Sequence, residues 1–212
     1  MTGKVAIITG GSRGIGAGLV AGYRGEGWRV VTSAHGIEPS QDADLVSVAA
    51  DITERATAER IVDAALRRFG RIDTLVNNAG VSISKPFTDY TVGDYAAAVG
   101  VNLTGFFWLT QRAVDEMAER YGGHVVNILA TLGDGADPGT PAVLAALTNG
   151  GLTAATRSLA VEYDPYGIRV NAISAGRAGQ VSDIVEGALF LESSPGVTGK
   201  ILRIEGGQIA GP

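Results

Sequence analysis

Val5-Ala6-Ile7-Ile8-Thr9-Gly10-Gly11-Ser12-Arg13-Gly14-Ile15-Gly16 is the stretch from which the fold can be read. Val5 to Ile8 has the character of a strand buried on both faces, and a helix-like stretch follows the glycines. Glycines at such a joint make a tight turn. Their missing side chains let backbone N–H groups and the positive end of a helix dipole approach a pyrophosphate. A Gly-rich octapeptide alone is often an ordinary turn; inside a strand-turn-helix unit it becomes a phosphate-binding candidate.

Outward from this unit, short β-rich apolar runs alternate with longer helical patterns. Strands are predicted over residues 4–9, 29–33, 45–49, 74–77, 124–129, 169–174 and 200–204. Helices are predicted over 14–25, 56–69, 92–120, 141–163 and 180–191. Such alternation implies a parallel sheet with helices on both faces, an α/β fold of the Rossmann-type, doubly wound kind with about seven strands. Residues 35–43 are polar and too short for a crossover helix, so a loop is expected there. No repeat or composition break divides residues 1–212, which are expected to form a single domain.

Bulk properties narrow the function classes. At 212 residues and 45% hydrophobic content the chain can bury one sizeable core. A net charge of −5 gives no electrostatic footprint for nucleic acid. The absence of cysteine removes disulfide and thiolate chemistry and fits a reducing compartment. The first strand begins near Lys4, leaving no room for a signal peptide, and no apolar run approaches bilayer-spanning length. A cytoplasmic protein with neither nucleic-acid nor membrane partner is expected. The two histidines, His35 and His124, lie far apart with no ligand spacing, so no metal site is predicted; His124 is expected at an exposed strand end.

Several separated motifs together resemble the short-chain dehydrogenase/reductase family. Thr9-Gly10-x-x-x-Gly14-Ile15-Gly16 is similar to its glycine pattern, and Ala50-Asp51-Ile52 to the end of its third strand, where an Asp lies beside the adenine. Asn77-Asn78-Ala79-Gly80 resembles its Asn-Asn-Ala-Gly turn. Asn102 falls where the family keeps an Asn in its long helix, supporting a kink and an ordered water. Thr156-Arg157-Ser158-Leu159-Ala160, Gly167-Ile168-Arg169-Val170-Asn171, Val197-Thr198-Gly199 and Glu205-Gly206-Gly207 resemble its later elements. The resemblance spans nearly the whole chain. It implies a nucleotide cofactor held by Gly10, Ser12, Arg13, Gly14, Ile15, Gly16, Ser33, His35, Asp51, Ile52, Asn78, Ala79 and Gly80. Singly, these residues have plainer roles: Asp51 as a helix cap, Asn78-Ala79-Gly80 as a turn, Asn102 as a partner for buried backbone.

The end of the second strand sets cofactor choice, because an acid there would bind the ribose 2′-hydroxyl and repel a 2′-phosphate. Family spacing puts Ala34 at that position, flanked by Ser33 and His35, with Arg13 able to point the same way. NADP(H) is therefore favoured over NAD(H), although Arg13 also reads as a plain surface charge.

The chemical half of the pattern breaks. The family polarises a carbonyl with a Ser, protonates it with a Tyr, and tunes that Tyr with a Lys four positions later. Here Ala130 takes the Ser position, with Thr131 next to it. Counting back from Thr156 puts Ala145 and Asn149 at the Tyr and Lys positions; counting from Ala130 gives Val143 and Leu147. No Tyr or Lys occurs between Pro141 and Leu152 in either register. The family's turn and helical lid after the sixth strand also look shortened by roughly twenty-five residues, because Ser174-Ala175-Gly176-Arg177-Ala178-Gly179-Gln180 runs straight into the next helical pattern. Loss of a general acid costs 10²–10⁴-fold, about 3–5 kcal/mol. Loss of an oriented donor costs about 3 kcal/mol in an intact site, and the two do not add.

Three functions remain open. The first is an NADP(H)-binding protein with impaired or absent carbonyl-reductase chemistry, of which Asn102 alone matches the family's catalytic set. The second is a working oxidoreductase of the 3-oxoacyl or ketone reductase type, using Thr131, Asp134, Asp137, Thr140, Thr148 or Lys85 as substitutes. The third is a non-redox cyclase, dehydratase or isomerase acting on an unknown small molecule. The resemblance further implies a homodimer or homotetramer packed through the long helices. Phe106, Phe107 and Trp108 would contribute there, or else fill the monomer's own core.

Overall fold

The computed structural model describes residues 3–130, 141–176 and 179–206. Val5, Ala6, Ile7 and Ile8 are fully buried; Val5 and Ile7 join the core on one face of the sheet, Ala6 and Ile8 the core on the other. That two-sided burial is why the run shows no polar alternation. Seven parallel strands form the sheet: β1 (Val5–Thr9), β2 (Arg29–Ala34), β3 (Leu45–Ala49), β4 (Thr74–Asn77), β5 (Gly123–Ala130), β6 (Ile168–Ala175) and β7 (Ile201–Ile204). Their order is β3-β2-β1-β4-β5-β6-β7.

Helices α1 (Gly14–Gly25) and α6 (Val181–Glu192) cover one face through Leu19, Ile184 and Leu191. Helices α2 (Arg55–Phe69), α4 (Gly105–Ala118) and α5 (Val143–Glu162) cover the other through Ile61, Leu109 and Ala160. Every predicted strand is present with bounds within two residues, and residues 35–43 carry neither helix nor strand. The helix expected over 92–120 is subdivided. It comprises α3 (Val92–Val99), a π-helical turn Gly100–Thr104, and α4.

From β1 the chain first runs outward to β2 and β3, then returns to β4 on the other side of β1. That reversal opens a crevice at the carboxyl ends of β1 and β4, where α/β proteins of this topology bind ligands. Thr9 and Asn77, the last residues of the two strands, flank it.

His124 corrects an expectation. It is not exposed: its side chain is 2% accessible, at the amino end of the interior strand β5, the opposite end of the strands from the crevice. It lies among Tyr23 of α1, Thr74 of β4, Asn171 of β6 and Glu192 of α6, groups that only the tertiary fold brings together.

Candidate nucleotide-binding cleft

A cleft of about 250 Å³ lies at the crevice, bordered by Thr9, Ile15, Ile52 and the Asn78-Ala79-Gly80 turn. The Thr9 hydroxyl is the hub of this turn. It accepts the N–H of Asn78 at 3.0 Å and that of Ala79 at 2.9 Å. Asn78 Nδ2 in turn donates to the Thr9 carbonyl at 2.8 Å. The β1 and β4 ends are thus stitched together by side-chain groups where ladder pairing stops. Sequence reading took Thr9 only as the first residue of the glycine motif; its role as an acceptor depends on a partner 69 positions away.

The glycine loop runs along the rim. A side chain at Gly16 would collide with the Gly10 carbonyl, so α1 can start this close to β1 only with glycine there. Gly14 has φ +54°, a left-handed conformation that glycine adopts freely, and open space lies beside it. The first N–H groups of a helix have no carbonyl within the helix to bond. Here no side chain caps that end of α1, and Ser12, Arg13 and Gly14 at it are exposed. Arg13 has no partner among the described residues. A cradle of free N–H groups, no side-chain bulk and an unpaired cation fits a pyrophosphate.

At the ends of β2 and β3, Ser33 is buried and its carbonyl holds the Gly10 N–H at 2.7 Å. Of the two residues flanking half-buried Ala34, only His35 is exposed. Its Nε2 is 3.8 Å from Asp51 Oδ1. Asp51 does not cap α2, whose first flanking residue is Glu54. Instead Asp51 Oδ1 accepts the N–H of Thr53 at 2.9 Å and its hydroxyl at 2.8 Å. Those bonds hold the Asp51 carboxyl below its ordinary pKa, with His35 adding a smaller effect.

Ala130 ends β5 in the wall of the cleft, and Ala145 and Asn149 enter from α5 beside Asn102. Leu147 is 60% exposed on the outer side of α5, so the register counted from Thr156 is the one facing the cleft. Asn149 Nδ2 turns back onto the Ala145 carbonyl at 2.9 Å. Of the other polar candidates, Thr148 is buried and donates to the Leu144 carbonyl, and Lys85 pairs with Asp94 at 2.7 Å. Lys85 and Thr91 hold the Asp94 carboxyl down to about 2. Thr131, Asp134, Asp137 and Thr140 lie outside the described residues, as do Arg177 and Ala178. Ser82, which sequence reading passed over, lines the cleft with an exposed hydroxyl that has no partner among the described residues.

A parallel sheet wound on both faces, with a glycine turn and a cleft where strand order reverses, defines a dinucleotide-binding domain of the Rossmann type. The model of the short chain dehydrogenase family matches residues 4–182, and the chain belongs to that oxidoreductase family. It is 35% identical over 187 positions to levodione reductase of Leifsonia aquatica, covering 82% of this chain and 69% of the relative. It is 32% identical over 247 positions to an uncharacterized oxidoreductase of Methylorubrum extorquens, covering 98% of each. That alignment is longer than the 212 residues of this chain, so the relative carries residues with no counterpart here. Among solved structures, a short chain dehydrogenase from Bacillus anthracis superposes with a TM-score of 0.90 at 29% identity, covering 98% of this chain and 97% of its own. A 3-ketoacyl-(acyl-carrier-protein) reductase from Brucella melitensis complexed with NADH superposes at 0.88 with 26% identity, covering 98% and 99%.

Proposed function

We propose that this chain docks NADP(H) in the cleft but does not reduce carbonyls by the family's Ser/Tyr/Lys route. One observation carries the proposal: Ala130, Ala145 and Asn149 line the cleft, and none of the six tyrosines and no lysine does. The bound cofactor would supply a hydride. The glycine loop would hold its pyrophosphate, with Arg13 and His35 at the adenosine end. Nothing described in the cleft offers the phenolic proton that carbonyl reduction also requires. Only residues 176–180 separate β6 from α6, too few for a helical lid between those two elements, and such a lid is what would exclude water from this side of the cleft. On this view the protein works in the cytoplasm as a binding or assembly subunit. It forms a homodimer or homotetramer through α4 and α5, supported by Phe107 at 52% exposure.

Calorimetric titration with NADPH, NADP⁺ and NADH tests docking, and NADPH absorbance with aldehydes, ketones and quinones tests turnover. Tight NADPH binding with turnover at background is expected. No binding at millimolar cofactor, or robust turnover, overturns the proposal. Light scattering tests the assembly.

A second reading, a working NADP(H)-dependent oxidoreductase with substitute groups, is favoured by the free Ser82 hydroxyl in the cleft. It requires turnover by the unmodified chain that Ser82→Ala abolishes.

A further inference from the structure

Past Asn149 the cleft continues into a second depression of about 530 Å³ between α5 and the edge strand β7; Leu129, Ala130 and Asn149 border both. The sequence explains the shape. α5 presents Ala146, Gly150 and Thr153 here, leaving space beside β7 unfilled. β7 commits Leu202 and Ile204 to the core under α6, so strand alternation leaves Arg203 and Glu205 facing the depression.

Its charge is opposite to that of the chain. Arg157, Lys200 and Arg203 stand against the single carboxylate of Glu205, in a protein of net charge −5. Arg203 has an interaction of its own. Arg157 and Lys200 are exposed, and no described residue pairs with either head group. Elsewhere cations find partners: Arg24 with Asp42, Arg71 with Asp73, Arg112 with Glu116, Arg169 with backbone carbonyls. Among the described arginines, only Arg13 at the glycine loop shares the unpaired state of Arg157.

We propose that this trough binds the carboxylate or phosphate end of an elongated ligand whose other end lies in the cleft. The proposal rests on reading the cleft as a ligand site and adds the chemical class of the second ligand: an anion with several atoms between its charge and its reacting or recognised group. The Arg157 guanidinium offers a planar fork suited to either oxyanion, and Lys200 adds a point charge. Because both are solvent-exposed, binding should weaken as salt rises.

Adipate and its uncharged diamide serve as probes, titrated by calorimetry at low ionic strength into the wild type, R157Q/K200Q and R13Q, with NADPH titrated separately into each. Inorganic phosphate in a parallel titration distinguishes the two oxyanions. Adipate is expected to bind the wild type and R13Q alike, at least ten times more weakly to R157Q/K200Q, and the diamide not to bind. Unchanged NADPH affinity in R157Q/K200Q separates the trough from the nucleotide loop. The proposal is overturned if the wild type ignores adipate and phosphate, if the diamide binds equally, or if R13Q rather than R157Q/K200Q loses affinity. Failure of NADPH to bind the wild type would instead overturn the cofactor proposal.

Discussion

Asn102 and Val81 exchange two hydrogen bonds: the Val81 N–H donates to Asn102 Oδ1 at 2.9 Å, and Asn102 Nδ2 donates to the Val81 carbonyl at 3.0 Å. A further bond runs from Nδ2 to Thr148 Oγ1 at 3.2 Å. The carboxamide behaves as a short piece of backbone, pinning the segment after Gly80 to the π-helical turn and to α5. Both of its donor hydrogens are spent. Asn102 is therefore a positioning residue in this conformation.

Removing that clamp should loosen one wall of the cleft. Asn102→Ala forfeits three hydrogen bonds, each with a net value of about 1 kcal/mol, so a loss of about 1–3 kcal/mol is expected in urea unfolding. NADPH affinity should fall with it, because Asn78, Ala79 and Gly80 lead directly into the clamped segment. A variant matching the wild type in both measurements would show that the clamp positions nothing.

Cofactor choice is testable at one position. Ala34→Asp puts a carboxylate at the end of β2, next to exposed His35. It should lower NADPH affinity by roughly tenfold or more, about 1.4 kcal/mol, while preserving or improving NADH binding. Arg13→Ala should weaken NADPH alone. Equal losses for both cofactors would refute the 2′-phosphate assignment.

Which features could be read from sequence depended on how local their causes are. β1 was legible because both its faces are buried, which a run of four apolar residues records directly. The α5 register was only half legible: counting from Thr156 gave Ala145 and Asn149, counting from Ala130 gave Val143 and Leu147, and it took the fold to show that the first pair lines the cleft. The break in the long helix was legible only through the resemblance, which implied a kink at Asn102; its π-helical form over Gly100–Thr104 was not, because no proline marks it and the extra residue per turn answers to packing and to the Asn102 clamp. His124 was misjudged for the same reason. Its neighbours Tyr23, Asn171 and Glu192 come from three other elements, the last of them 68 positions away. Ser82 carries no spacing signal at all, and only the cleft identifies it.

On the proposed function, placing the family's Ser, Tyr and Lys at Ala130, Ala145 and Asn149 should raise carbonyl reduction. A130S/A145Y/N149K supplies a hydroxyl donor, a phenol and an ammonium from positions that already line the cleft. A general acid alone contributes roughly 10²–10⁴-fold. Because residues 176–180 between β6 and α6 are too few for a helical lid, only a modest gain, about tenfold or more over the wild type, is expected in NADPH-dependent ketone reduction. Ala145 is buried at present, so circular dichroism must show that the variant folds. A folded, NADPH-binding variant with no gain would mean that Ala130, Ala145 and Asn149 do not stand where the reaction occurs.

The buried network at the end of the sheet away from the crevice should make the protein acid-labile. Glu192 Oε1 accepts from the Tyr23 hydroxyl at 2.8 Å, the Thr74 hydroxyl at 2.9 Å and His124 Nδ1 at 3.0 Å. Asn171 Nδ2 points at His124 Nε2 from 3.1 Å, and Arg169 approaches the same nitrogen. The ring is therefore neutral with its proton on Nδ1. Burial pushes the His124 pKa below its ordinary 6.5. Burial also opposes the Glu192 charge, but the bonds from His124, Tyr23 and Thr74 outweigh it and hold that carboxyl below 4.5. Both groups bind protons more readily in the unfolded chain, so stability falls as pH falls. The His124 contribution is complete above about pH 6.5 and is lost as pH drops through its folded value; the Glu192 contribution is complete above about pH 4.5 and is lost below it. Urea midpoints measured from pH 3 to 8 should decline on the acid side. His124→Gln should flatten the decline just below pH 6.5, and Glu192→Gln should cost about 2 kcal/mol at pH 7 and flatten the lower limb. If wild type and His124→Gln give parallel curves, the ring does not titrate against the fold.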